Sequence, residues 1–139
     1  MNILILCTGN SCRSQMAEAI LQSFDDVLEV YSAGTEPSAQ VHPLAVEVMR
    51  EWNIDISQKI PKNVDQFLNI PFDYVITVCD HANDTCPVFE GEVKNRLHIG
   101  FEDPAAVRGS LEKQFKEFRR IRNEILVDFF GFYQSEIKK

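Results

Sequence analysis

Ile3-Leu4-Ile5-Leu6-Cys7-Thr8-Gly9-Asn10-Ser11-Cys12-Arg13-Ser14-Gln15-Met16-Ala17 is the stretch on which the fold turns. Its first four residues are apolar without alternation, as in a strand covered on both faces. Beyond the polar middle, Met16, Ala17, Ile20, Leu21 and Phe24 recur at helical spacing,. A strand that passes through a short loop into a helix is the repeating unit of a parallel α/β sheet. Cys7 stands at the turn between the two. Five residues separate it from Arg13, enough for the backbone to curl with successive N–H groups inward while the guanidinium closes the ring. Such a ring suits a tetrahedral oxyanion. The same donors, with the positive end of the following helix, stabilise a thiolate, so Cys7 is expected to be a nucleophile at neutral pH.

The remaining sequence repeats the pattern. Strand-like runs at residues 2–6, 28–31, 74–78 and 96–99 alternate with helical stretches, which predicts four parallel strands flanked by helices,. Leu44, Val48 and Met49 follow His42-Pro43, with Pro43 suited to an early helical position. These helices are expected to cover both faces of the sheet. Leu111, Phe115, Phe118, Arg122, Ile125, Leu126 and Phe129 mark a closing amphipathic helix, with Lys113, Lys116, Glu117, Arg120 and Glu124 between them,. Residues 63–71 and 81–92 read as longer surface connections. No repeat, low-complexity tract or linker interrupts the chain, and residues 1–139 are expected to form one domain,.

A hydrophobic content of 45% supplies a full core,. The formal net charge of −7 argues against nucleic acid or an anionic membrane as a partner, since both reward basic faces,. No apolar run approaches the length of a membrane span, and a cytoplasmic monomer is expected. Cysteines in such a compartment stay reduced, so metal binding or catalysis is the better reading of Cys7, Cys12, Cys79 and Cys86. Their spacing is not the usual two-residue zinc spacing.

Cys79 ends the third strand, and Cys86 follows in a polar segment before Pro87. Catalytic groups of parallel sheets gather at the carboxyl ends of strands, where Cys7 also lies. A nucleophilic cysteine, a second at the neighbouring strand end and a third on a tether suggest a relay of thiol–disulfide exchange that ends in an exposed Cys79–Cys86 disulfide.

At this point the chain resembles the thioredoxin-coupled arsenate reductases, which share the fold of the low-molecular-weight protein tyrosine phosphatases. The likeness rests on the Cys7 to Glu18 block, Tyr31-Ser32-Ala33-Gly34, the Cys79/Cys86/Pro87 segment, Gly100-Phe101-Glu102-Asp103-Pro104-Ala105 and residues 118–125. It implies strand order 2-1-3-4. It also implies that arsenate lies among Thr8, Gly9, Asn10, Ser11, Cys12, Arg13 and Ser14, that Cys7 attacks arsenic, and that Asp103 protonates the departing hydroxyl. Cys79 and Cys86 then resolve the adduct in turn, and thioredoxin returns the electrons, with no bound cofactor and no metal. Ser14 and Thr8 are placed to donate to the thiolate. Some members of the family hold a monovalent cation beside the loop through Asn, Glu, Ser and Asp. Asn10, Glu18 and Ser32 match the first three, while Lys62 falls where the Asp aligns, so an ammonium is expected in place of the cation.

Two other readings compete. Phosphomonoester hydrolysis needs only Cys7, Arg13 and Asp103, but Ala105-Ala106-Val107 lacks the aromatic residues that would contact a phosphotyrosine ring. A zinc or redox-sensing protein would use the four cysteines. Cys12 reads as a loop residue without a chemical role. His42, His81 and His98 read as structural or exposed and outside any ligand spacing with the cysteines. Arg119, Arg120 and Arg122 read as a solvated helix face.

Overall fold

A computed structural model of the chain describes residues 1–80 and 86–138. Four strands, β1 (Asn2–Cys7), β2 (Glu29–Gly34), β3 (Phe72–Thr77) and β4 (Val93–His98), form one sheet in the order β2-β1-β3-β4. All three pairings are parallel. Three helices, α1 (Arg13–Phe24), α2 (Pro43–Arg50) and α3 (Leu111–Phe132), complete the framework.

β1 is central because it is apolar on both faces: Ile3, Leu4, Ile5 and Leu6 are all fully buried. Ile3 and Ile5 pack with Tyr74 and Ile76 under residues of all three helices, including Met16, Val48 and Phe118. The expectation that helices cover both faces is corrected here. The opposite face, carrying Leu4, Leu6 and Val75, is closed by Phe67 and Phe89. Both come from the segments read as surface connections, one of which forms a 3-10 turn over Val64–Phe67. An aromatic side chain on each connection supplies the apolar area that a further helix would have given. Residues 81–85, the polar part of the second segment, and with them His81, lie outside the described residues.

β4 begins three residues before the predicted start and ends one earlier. Among the described residues it is an edge strand, paired only with β3, and its Lys94, Asn95 and Arg96 are exposed, which masks the strand in a sequence read for apolar runs,. In α3, Phe118, Ile125 and Phe129 are buried as expected and Arg122 is buried with them, whereas Leu111 and Leu126 face solvent at 62% and 37% exposure. Among the described residues, no helix is long and apolar enough to cross a membrane.

Candidate active site

The carboxyl ends of β1 and β3 are drawn together by a hydrogen bond from Val78 N to Leu6 O at 3.0 Å. Ile99 N to Thr77 O at 2.9 Å and Phe101 N to Val78 O at 3.1 Å bring the chain after β4 to the same edge. The nucleophile loop, the second cysteine and Asp103 therefore share one rim because the sheet is parallel.

Between β1 and α1 the loop wraps a cavity of about 390 Å³ lined by Cys7, Thr8, Gly9, Ser11, Cys12 and Arg13, with Asp103 and Ala105 opposite. The curl depends on Asn10, which adopts a left-handed φ of 51° that Asn tolerates better than most residues,. That conformation directs Asn10 N to Cys7 Sγ at 3.3 Å. Asn10 and Ser14 lie fully buried behind the loop rather than on its mouth. Asn10 Nδ2 donates to Ser14 Oγ at 2.8 Å and to Ser32 Oγ at 2.9 Å, and its Oδ1 accepts from Gln15 Nε2 at 3.0 Å and Lys62 N at 2.9 Å. Ser14 Oγ is 2.9 Å from Cys7 Sγ. Because that hydroxyl already accepts from Asn10, its own hydrogen is left to point at the sulfur. Cys7 is buried and its thiol is free.

Arg13 is buried and held by the far wall: Nη1 donates to Phe101 O at 3.1 Å, and Nη2 stands 3.8 Å from Asp103 Oδ2. Asp103 also caps the 3-10 turn Pro104–Ala106 by accepting from Ala105 N at 3.0 Å. Its side chain is one-third exposed and lines the cavity opposite the loop. Cys12 Sγ donates to Asp103 Oδ1 at 3.7 Å. Burial, reinforced by the negative Asp103, pushes the Cys12 thiol up to about 12. At neutral pH this thiol stays protonated.

Cys79 and Cys86 are joined by a disulfide, with Cα atoms 5.8 Å apart. Cys79 is fully buried at the strand end and Cys86 is partly exposed. Beside them stands His98, whose Nδ1 is 2.8 Å from Thr77 Oγ1. One ligand atom from each of Cys79, Cys86 and His98 lies within 4.8 Å of the others. β4 pairs with β3 in register, Thr77 opposite His98, and so brings this exposed histidine beside Cys79 and Cys86 across a gap that linear spacing hides. The four-cysteine zinc reading is split, since Cys7 and Cys12 belong to the loop.

The site also contains residues that sequence reasoning missed. Glu36 and Ser38 line the cavity, held to the loop through Glu36 N to Thr8 O at 3.0 Å and Ser38 N to Gly9 O at 2.9 Å. Their signal was position alone, just past Gly34 at the carboxyl end of β2. A Cβ on Gly34 would come within 2.3 Å of Thr8 O, so only glycine lets the loop sit this close to β2.

Behind the loop, Ser32 Oγ donates to the buried Glu18 Oε1 at 2.8 Å. Lys59 Nζ stands 3.1 Å from Glu18 Oε2, and Lys62 Nζ stands 3.9 Å from Oε1. Burial lowers the Lys62 ammonium, while Glu18 opposes that shift. Two ammonium groups thus face the buried Glu18 carboxylate. Among the histidines, His42 caps α2 by accepting from Leu44 N at 3.1 Å, a structural duty.

The sequence pattern of the low molecular weight phosphotyrosine protein phosphatases matches residues 2–138. An arsenate reductase of Halalkalibacterium halodurans is 48% identical over 124 residues, 88% of each chain. One of Bacillus cereus is 46% identical over the same length, covering 88% of this chain and 87% of that one. The crystal structure of an arsenate reductase from Archaeoglobus fulgidus superposes with a TM-score of 0.75 at 27% identity, covering 96% of this chain and 99% of that one. A thioredoxin-dependent arsenate reductase of Corynebacterium glutamicum superposes at 0.58 and 28% identity, over 94% of this chain and 62% of that one. The nucleophile loop, the strand order and these likenesses agree: the chain belongs to the low molecular weight phosphotyrosine protein phosphatase family and groups within it with the arsenate reductases.

Proposed function

We propose that this protein reduces arsenate to arsenite through Cys7, Cys79 and Cys86, with a thioredoxin as the electron donor. One observation carries the reading: a disulfide between Cys79 and Cys86 stands at the strand end beside a loop whose own cysteine is a free thiol. Such an arrangement is the resting point reached after the electrons have left.

In the first step the Cys7 thiolate attacks arsenic(V) while loop N–H groups and Arg13 hold the remaining oxygens. An arsenic–oxygen bond breaks, and Asp103 supplies the proton with which the hydroxyl leaves as water. The Cys79 thiolate then attacks Cys7 Sγ. The sulfur–arsenic bond breaks, its electron pair stays on arsenic, and arsenite departs, leaving a Cys7–Cys79 disulfide. The Cys86 thiolate next attacks Cys79 Sγ and expels Cys7 as a thiolate, steadied by Ser14 and Asn10 N,. The two electrons that reduced arsenic have come from Cys79 and Cys86. A dithiol of the thioredoxin class restores them by exchange at Cys86, the partly exposed sulfur of the pair,.

Ester hydrolysis through Cys7 alone uses the same cradle, but the wall beside Asp103 carries Ala105 and offers no aromatic surface for a phosphotyrosine ring. Mass analysis after a single turnover tests the proposal. Reduced wild type mixed with one equivalent of arsenate should yield arsenite and a Cys79–Cys86 disulfide, whereas Cys86→Ser should stop at Cys7–Cys79. Arsenite release without any disulfide, or hydrolysis of p-nitrophenyl phosphate as the only turnover, would remove it.

A further inference from the structure

We infer that Glu36 makes the loop cavity selective for an oxyanion that still carries a proton, so that arsenate or phosphate is held in preference to sulfate. The three anions share a tetrahedral shape, and at neutral pH only sulfate has no proton to donate. Among the described residues, the charged side chains that line the cavity are Arg13, Asp103 and Glu36. The first two are already engaged. Arg13 donates to Phe101 O and stands 3.8 Å from Asp103 Oδ2, and Asp103 Oδ1 accepts from Ala105 N. The Glu36 carboxylate enters no hydrogen bond or ion pair among the described residues. In a cavity that takes anions, an unengaged carboxylate opposes binding unless the ligand can donate to it.

The backbone fixes where Glu36 stands. The segment after β2 runs along the loop, with Glu36 N donating to Thr8 O at 3.0 Å, Ser38 N to Gly9 O at 2.9 Å and His42 N to Ser11 O at 2.8 Å. Ser38 Oγ lies 2.9 Å from the place a Cβ on Gly9 would take, so segment and loop are packed together as well as bonded. Glu36 is thereby tied to Thr8, the neighbour of the nucleophile, while remaining exposed.

An ionised carboxylate can only accept. It takes a hydrogen bond from the hydroxyl of a protonated oxyanion, and a bond of this charge-assisted kind is about twice as strong as a neutral one. Against sulfate it sets acceptor against acceptor and negative charge against negative charge. Solvent around the exposed Glu36 screens that repulsion, so the discrimination is several-fold and not thousands-fold. Phosphate carries the same proton and passes the same filter, which leaves arsenate to be told from phosphate by the chemistry at Cys7. That last step rests on the reduction proposed above; the preference for a protonated anion does not.

The test uses the protein with its Cys79–Cys86 disulfide in place, in which Cys7 is a free thiol and Cys12 is buried and protonated. Alkylation of Cys7 by iodoacetamide at neutral pH and constant ionic strength is followed by mass analysis while inorganic phosphate or sulfate is added. Wild type should need about tenfold more sulfate than phosphate for half protection. In Glu36→Gln that ratio should fall by about threefold or more, through a gain for sulfate that phosphate does not share, and Glu36→Asp should retain more of it. Glu36 is exposed, so both variants keep the fold. Equal protection by the two anions in wild type, protection by neither, or a ratio unchanged in Glu36→Gln would overturn the inference. A gain for both anions by the same factor would also overturn it, since that marks a general charge effect. No arsenate and no electron transfer enter these readouts, so a failure here is distinct from a failure of the relay.

Discussion

Ser14 Oγ accepts from Asn10 at 2.8 Å and stands 2.9 Å from the Cys7 sulfur, so one hydroxyl is oriented by a buried amide to meet a developing negative charge. A hydrogen bond to a charged group contributes roughly 1.5 to 3 kcal/mol. Ser14→Ala should therefore slow alkylation of Cys7 by iodoacetamide at neutral pH by about tenfold or more, and, because it leaves a buried Asn10 donor unpaired, cost about 1 to 3 kcal/mol of stability,. Alkylation at the wild-type rate would show that Asn10 N and the helix end suffice. The Cys7 to Arg13 spacing was legible because it is a local property of seven consecutive residues. The orientation of Ser14 was not, since it depends on Asn10 reaching Ser32, 22 positions away.

At the scale of elements, α2 and α3 are clamped by Glu51. Arg119 meets it through Nη2 at 2.7 Å, and Arg122 Nη1 reaches it at 2.7 Å while donating to Val48 O at 2.8 Å. The Arg122 guanidinium also lies 4.0 Å over the Trp52 ring. Arg122 is buried, which corrects the reading of three solvated arginines; the helix period placed it among apolar neighbours, and its charge hid that. Hydrogen bonds from Arg119 and then Arg122 lower the Glu51 carboxyl from 4.5 to about 2. A carboxyl depressed by folding stabilises the protein above its unfolded value, and that contribution fades as pH falls from about 4.5 towards 2,. Glu51→Gln should thus cost about 1 kcal/mol at neutral pH, a figure kept small because the pair is exposed to solvent. Its stability deficit against wild type, from urea unfolding, should shrink below pH 4.5. A deficit that stays constant down to pH 3 would assign the effect to packing.

For the whole molecule, parallel order 2-1-3-4 was implied by the family resemblance and is found; the alternation of strands with helices spoke only for a parallel sheet. The meeting of His98 with Cys79 and Cys86 was out of reach, because it depends on sheet register across an edge strand. The same global view bears on ions. Lys59 and Lys62 face Glu18 behind the loop, so exchanging sodium for potassium or choline at constant ionic strength should change kcat/KM by less than about twofold. A strong preference for potassium would mean that the ammonium groups do not do the work of a cation there. The central claim concerns electron flow through three sulfurs, and the most direct measurement is arsenate-dependent NADPH consumption with thioredoxin and thioredoxin reductase, comparing wild type with Cys86→Ser. The relay predicts sustained turnover in wild type and, in Cys86→Ser, one equivalent of arsenite followed by arrest; equal steady-state rates in the two proteins would contradict it.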